Sequence, residues 1–300
     1  MTSLFQIWRI TCYEWFTAIR SRRAIVLLLL FMAASVCTMN FSINALQKME
    51  KELVKLLQLP DTEEVGIVSK TLWKSKPFQR MMKHIVSDDA VYKDIIGKHP
   101  VELMYALLVF FYSPLLVVLV SANRISDDIG SGSIRYIAFR SSRFAWSFGK
   151  FLGQAGMIGL ALLLSGIGAW IVAMIRLHGA GLPLMMDIFN WSLRSWIYAL
   201  PFLGLCMGLS HLTRSGSKAT IFGILAISVF FVLTILFKMY ENAEGWQSIF
   251  VYIATFIPES HGGLLWRSNP MAVATGALWM ITLALCYHFT GYMIFRNRDI

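Results

Sequence analysis

Six apolar stretches, each about as long as a bilayer is thick, restrict the fold of this chain more than any other feature. They run over about 24–46, 101–122, 151–175, 195–212, 219–237 and 271–295. A helix needs about 20 apolar residues to cross the hydrocarbon core, whereas a membrane β-strand needs only about ten of alternating polarity. These runs are continuous, so an all-α polytopic membrane protein with six transmembrane helices is expected. Composition agrees: 57% of the residues are hydrophobic, against roughly 45–50% in an ordinary soluble domain. Pro114 falls inside the second run and is expected to kink it, which neighbouring helices can tolerate by satisfying the freed carbonyl.

The segments between the runs suggest an orientation. Residues 1–23 mix Leu4, Phe5, Trp8, Trp15 and Phe16 with Arg9, Glu14, Arg20, Arg22 and Arg23, a composition suited to a helix lying in the membrane interface. The apolar run that follows is too long for a signal peptide, so an uncleaved anchor is expected. Residues 47–100 are polar, with ten Lys or Arg and eight Asp or Glu, and are expected to form a small extracytoplasmic helical segment that starts by continuing the first membrane helix. In 239–270, the apolar stretch Ile249–Ile257 stops at Pro258; it is too short to span and should lie on or dip into the outer face. Residues 1–23, 123–150, 213–218 and the tail from Arg296 hold thirteen Lys or Arg in total, whereas 176–191 and 239–270 hold only Arg176 and Arg267. By the positive-inside rule both termini are then cytoplasmic. The same asymmetry accounts for the formal charge of +10 without invoking nucleic acid, since no basic stripe with interleaved aromatics is present.

Several function classes are disfavoured. A proton-coupled carrier keeps ionisable groups near the middle of its spans, but here Glu102 and His211 sit at helix ends and His288 alone lies well inside a run, where packing between helices explains it. There is no HExxH, no GxSxG and no pair of intramembrane aspartates. Neither Gly130–Ser133 nor Gly216–Lys218 carries the spacing of a phosphate-binding P-loop, so no nucleotide or metal cofactor is assigned to this chain. The four cysteines, Cys12, Cys37, Cys206 and Cys286, are dispersed and read as small apolar residues. Gly204 with Gly208 and Ala155 with Gly159 give small-residue spacings that suit close helix packing within the chain.

The most informative connection is 123–150, NRISDDIGSGSIRYIAFRSSRFAWSFGK. Acids, then glycines, then Ile134, Tyr136 and Ile137, then arginines make a short amphipathic helix that a cytoplasmic partner could engage. This order resembles the ABC-2 type permease family of bacterial exporters. Members typically show an acid four residues before a Gly-(Thr/Ser)-(Leu/Ile) triplet, then an Arg, then a Lys opening the third span; Asp128, Gly132, Ser133, Ile134, Arg143 and Lys150 occupy these places. Glu14 followed by Arg20, and the terminal set Phe295, Arg296, Arg298 and Asp299, match two further family features. The sequence departs at Gly130, where the family has a second acid, and in lacking a proline near Arg140.

The resemblance implies a permease subunit in the inner (cytoplasmic) membrane. It would pair with a second permease, identical or homologous, and with two copies of a P-loop ATPase that bind the ATP and Mg. Residues 1–23 and 124–143 would then be coupling elements, with Glu14, Arg20, Asp128, Gly132, Ser133, Ile134, Arg135 and Arg143 as the candidate residues. Two other readings stand beside it: a membrane scaffold or assembly factor without transport, and a membrane-embedded lipid-modifying enzyme.

Overall fold

The computed structural model describes residues 3–57, 89–95, 98–138, 140–177, 181–240 and 249–297. The chain is an all-α polytopic membrane protein: six helices are long and apolar enough to cross a membrane, and the described residues contain no strand. In chain order the helices are α1 (Ser3–Arg20), α2 (Arg22–Leu57), α3 (Asp89–Ile95), α4 (Pro100–Ser121), α5 (Ser126–Gly130), α6 (Ser133–Ala138), α7 (Arg143–Arg176), α8 (Leu182–Ser210), α9 (Gly216–Tyr240), α10 (Ile249–Ala254), α11 (Pro258–Gly262) and α12 (Pro270–Arg296), with a 3₁₀ turn at Gly263–Trp266. The candidate spans lie on α2, α4, α7, α8, α9 and α12. Much of the polar connection 47–100 lies outside the described residues, as do Arg298 and Asp299 of the C-terminal set.

The helices are longer than the apolar runs where caps and partners replace hydropathy. α7 starts at Arg143, before the run near Phe151, because the Ser142 hydroxyl accepts from the Ala145 N–H at 3.1 Å and caps the helix. α8 starts at Leu182 with Pro183 in its first turn and carries Asp187, Asn190 and Arg194 inside the helix. Those residues end the apolar run near Ser195 but not the helix, since Arg194 bonds to Asn190 and to the carbonyls of Leu265 and Arg267. Pro114 leaves the Phe110 carbonyl without its helical donor, and the Ser113 hydroxyl donates to that oxygen at 3.4 Å; α4 continues through it.

α8 is the centre of the bundle, packed on α4, α7, α9 and α12. Its approach to α12 is backbone on backbone: a Cβ at Gly204 would stand 2.1 Å from the Ala284 carbonyl oxygen, and one at Gly208 would stand 2.5 Å from that of Tyr287. Without a hydrophobic driving force between helices in lipid, small residues that allow such contact supply the attraction through dispersion. The second small pair is also used within the chain, since the Trp196 indole donates to the Ala155 carbonyl at 2.7 Å and lies against Gly159.

Candidate functional site

The sequence-selected residues fall at one end of the bundle, where α1 and the connection from α4 to α7 meet. α1 seats on α7 through a glycine face. A Cβ at Gly149 would collide with Ile10 at 2.9 Å, one at Gly153 with Glu14 at 2.8 Å, and one at Gly156 with Trp15 at 2.3 Å. Thr11 and Trp15 donate to the exposed carbonyls of Gly149 and Gly153. On this face of α1 Ile7, Glu14 and Ala18 are buried and Thr11 is half-buried, while Leu4, Trp8, Phe16 and Ile19 remain exposed on the other side.

Seating α1 this way buries the Glu14 carboxylate against the first turns of α7, and a buried charge needs a partner. Lys150 supplies it: its Nζ lies 2.8 Å from Glu14 Oε1 and 2.9 Å from Asp128 Oδ2, and it donates to the Arg124 carbonyl at 3.4 Å. Gln154, one turn on, donates to the second Glu14 oxygen at 3.4 Å. One ammonium thus joins α1, α5 and α7, and the side chains of Lys150 and Glu14 are only 8% and 9% exposed. Beside it opens a cavity of about 740 Å³ whose lining includes Arg9, Arg124, Asp127, Tyr136 and Arg140.

The α5–α6 turn is shaped by its small residues. Gly132 has φ +72°, a left-handed conformation that glycine takes without steric cost. Ser133 donates to the Asp128 carbonyl at 3.2 Å, closing the turn over the acid. Gly130 is required by contact, since a Cβ there would stand 2.2 Å from the Arg214 carbonyl oxygen; an acid at this position would displace the 213–218 connection. The Ser210 hydroxyl accepts from the Ser126 N–H at 2.9 Å, so the turn is also tied to the end of α8. Ile134 is buried in the main core.

Of the residues singled out in sequence, Glu14 and Asp128 converge on Lys150, and Gly132, Ser133 and Ile134 shape the turn that presents Asp128. Arg20 and Arg135 are exposed and stand apart from the ion cluster. Arg143 points elsewhere, donating to the Arg296 carbonyl at the end of α12.

His288 is not the isolated histidine its sequence position suggests. Its Nε2 lies 3.0 Å from the Ser147 hydroxyl, which lies 2.9 Å from Nε2 of His211, and all three residues are buried. His211 Nδ1 is 2.8 Å from the Met207 carbonyl. A carbonyl only accepts, so neutral His211 carries its hydrogen on Nδ1 and accepts from Ser147 at Nε2. Ser147 in turn accepts from His288 Nε2–H, leaving His288 Nδ1 bare and without a partner among the described residues. Ser147 and Lys150 are one turn apart, with Trp146 touching both clusters. The cost of an unpaired polar group in apolar surroundings was the available signal for these partners; the spacing between residues 147, 211 and 288 gave none.

Among the described residues, no group of three or more His, Cys, Asp or Glu is placed to hold a metal ion. A profile of the family described as ABC-2 family transporter protein matches residues 8–300. Among curated proteins no relative matches the chain.

Proposed function

The chain belongs to the ABC-2 family of transporter proteins, and from that premise we propose that it is the export permease whose Glu14–Lys150–Asp128 cluster receives the motion of a separate ATPase. The observation that carries this reading is that one buried ammonium holds both segments assigned to coupling, α1 and the α5–α6 turn, on the first turns of a spanning helix. Displacing α1 would strand the buried Glu14 carboxylate and so is resisted, whereas the α5–α6 turn can carry the more exposed Asp128 away while Lys150 stays paired with Glu14. Two P-loop ATPase subunits on the cytoplasmic side would supply ATP and Mg, and a second permease, identical or homologous, would complete the path. The excess of basic residues in the connections that share a side with α1 supports cytoplasmic termini.

The test begins with a mild-detergent purification of the tagged chain from its native membrane, mass spectrometry of what co-purifies, and an ATPase assay. A stoichiometric P-loop ATPase is expected, with hydrolysis that depends on the permease. Asp128→Lys should then lower that permease-dependent hydrolysis about tenfold while the complex still assembles. An ATPase-free preparation would overturn the exporter reading; full stimulation by Asp128→Lys would overturn the coupling role alone.

A further inference from the structure

A second cavity, of about 550 Å³, opens on the outside of the bundle and is lined by Arg22, Val26, Leu27, Leu119, Asn123 and Thr220. These residues belong to α2, the end of α4 and the start of α9. α2 and α9 each pack on α4, and they are the least buried spans, with only 17% and 6% of their most apolar stretches covered by the rest of the chain. The cavity therefore opens on a face that the rest of the chain leaves uncovered.

Its lining is sorted by polarity along the membrane normal. Arg22 opens α2, Asn123 follows α4 and Thr220 stands one turn into α9, so three polar groups meet at the α1 end of the bundle. Val26 and Leu27 lie one turn further along α2, and Leu119 one turn back in α4, forming the deeper apolar wall. Thr220 already donates to the Gly216 carbonyl at 3.0 Å. The Arg22 guanidinium and the Asn123 carboxamide have no hydrogen-bond or ion-pair partner among the described residues. Among the described residues no acid lines the cavity. A guanidinium at the membrane interface is suited to a phosphate, which it can hold through two donors at once.

We propose that this groove binds an anionic phospholipid, with its phosphate at Arg22 and Asn123 and an acyl chain along Val26, Leu27 and Leu119. The volume falls in the usual range of ligand sites, roughly 300–1,000 Å³. A second copy of the chain is the weaker occupant, because the apolar stretches 24–48 and 216–237 that border the groove carry no acid to answer Arg22. The proposal does not depend on the exporter reading, and its test needs no ATPase.

In that test the full chain carries a photoreactive benzoyl-phenylalanine in place of Leu119 and is reconstituted into phosphatidylcholine vesicles containing a minority of phosphatidylglycerol. After irradiation, mass spectrometry reads the lipid adducts. Phosphatidylglycerol adducts should exceed their mole fraction about fivefold, the increment one basic residue contributes at a membrane surface. Arg22→Gln should return them to the mole fraction, and Arg22→Lys should retain most of the enrichment. The same probe at Phe231, exposed on α9 away from the groove, gives the bulk-lipid baseline. Equal enrichment at both positions, no response to Arg22→Gln, or an adduct with a second copy of the chain would each overturn the proposal.

Discussion

Both ends of α4 bury charge, but they hold it in opposite ways. At the α1 end, Lys150 takes its two carboxylates from two other segments, beside a cavity of about 740 Å³. At the other end, Glu102 is paired locally with Lys98, four residues earlier and 3.1 Å away, and accepts from the Trp191 indole at 2.7 Å. The contacts that cross between elements there are mostly rings and carbonyls. Trp191 and Trp266 meet at 4.7 Å, Phe110 lies 5.0 Å from Tyr198 and from Trp266, and Arg194 donates to the Leu265 and Arg267 carbonyls. The ion pair Asp94–Arg267, which crosses elements at this end, is partly exposed and so weak. Interlocked rings lose contact area on any shift, whereas an ammonium between two carboxylates keeps one partner when the other moves. The α1 end is built as a joint and the opposite end as a seal.

The largest expected effect comes from emptying the joint. Lys150→Met leaves Glu14 and Asp128 close together with no cation between them, and losing one partner of a buried pair costs about 3–5 kcal/mol. Thermal unfolding in detergent should show this, with partial rescue by adding Glu14→Gln and Asp128→Asn. A wild-type midpoint for Lys150→Met would place the cluster among solvent-screened surface pairs and end the comparison.

At the seal, Trp191→Phe keeps most of the ring volume and removes the donor to Glu102. A hydrogen bond to a charged group contributes about 1.5–3 kcal/mol, so the same assay should show a smaller loss. A loss larger than that of Lys150→Met would invert the ranking and make the aromatic end the main store of stability.

The difference between the ends also explains what could be read in advance. Spans follow from hydropathy, because lipid punishes any uncovered backbone or charge over a fixed thickness. The turn around Asp128 was marked by glycine spacing, since Gly132 holds a conformation that other residues resist. Lys150 was visible as the residue opening a span, but its two partners depend on how α1 lands on Gly149, Gly153 and Gly156, which periodicity does not specify. Ser147, His211 and His288 were illegible as a set for the same reason. The start of α8 was hidden because Asp187 and Arg194 interrupt the apolar run while their helix continues.

A third measurement separates the seal from the segment that folds back beneath it. Burial pushes the Glu259 carboxyl on α11 up from its ordinary 4.5 to about 7. Between those values the folded chain holds a proton that the unfolded chain has released, so stability falls as pH rises from about 4.5 through about 7. Residual solvent contact screens the carboxylate and keeps this slope smaller than the losses above. Glu259→Gln should flatten the dependence of the unfolding midpoint on pH across that window. An unchanged slope in the variant would assign it to another group.

The smallest effect tests whether the turn over Asp128 is held by its backbone or by its neighbours. A Cβ at Gly132 would meet nothing within 4 Å, so Gly132→Ala pays only for placing an L-residue at φ +72°, about 1 kcal/mol. Gly132→Asn should recover most of that, because asparagine enters the left-handed region more readily. Proteolysis of the 126–138 segment, compared with the midpoint of global unfolding, is the appropriate readout. Faster local cleavage in Gly132→Ala with an almost unchanged midpoint is expected, since Lys150 still holds Asp128 from below. A global loss as large as that of Lys150→Met would mean that the turn, and not the ion cluster, sets the geometry of the joint.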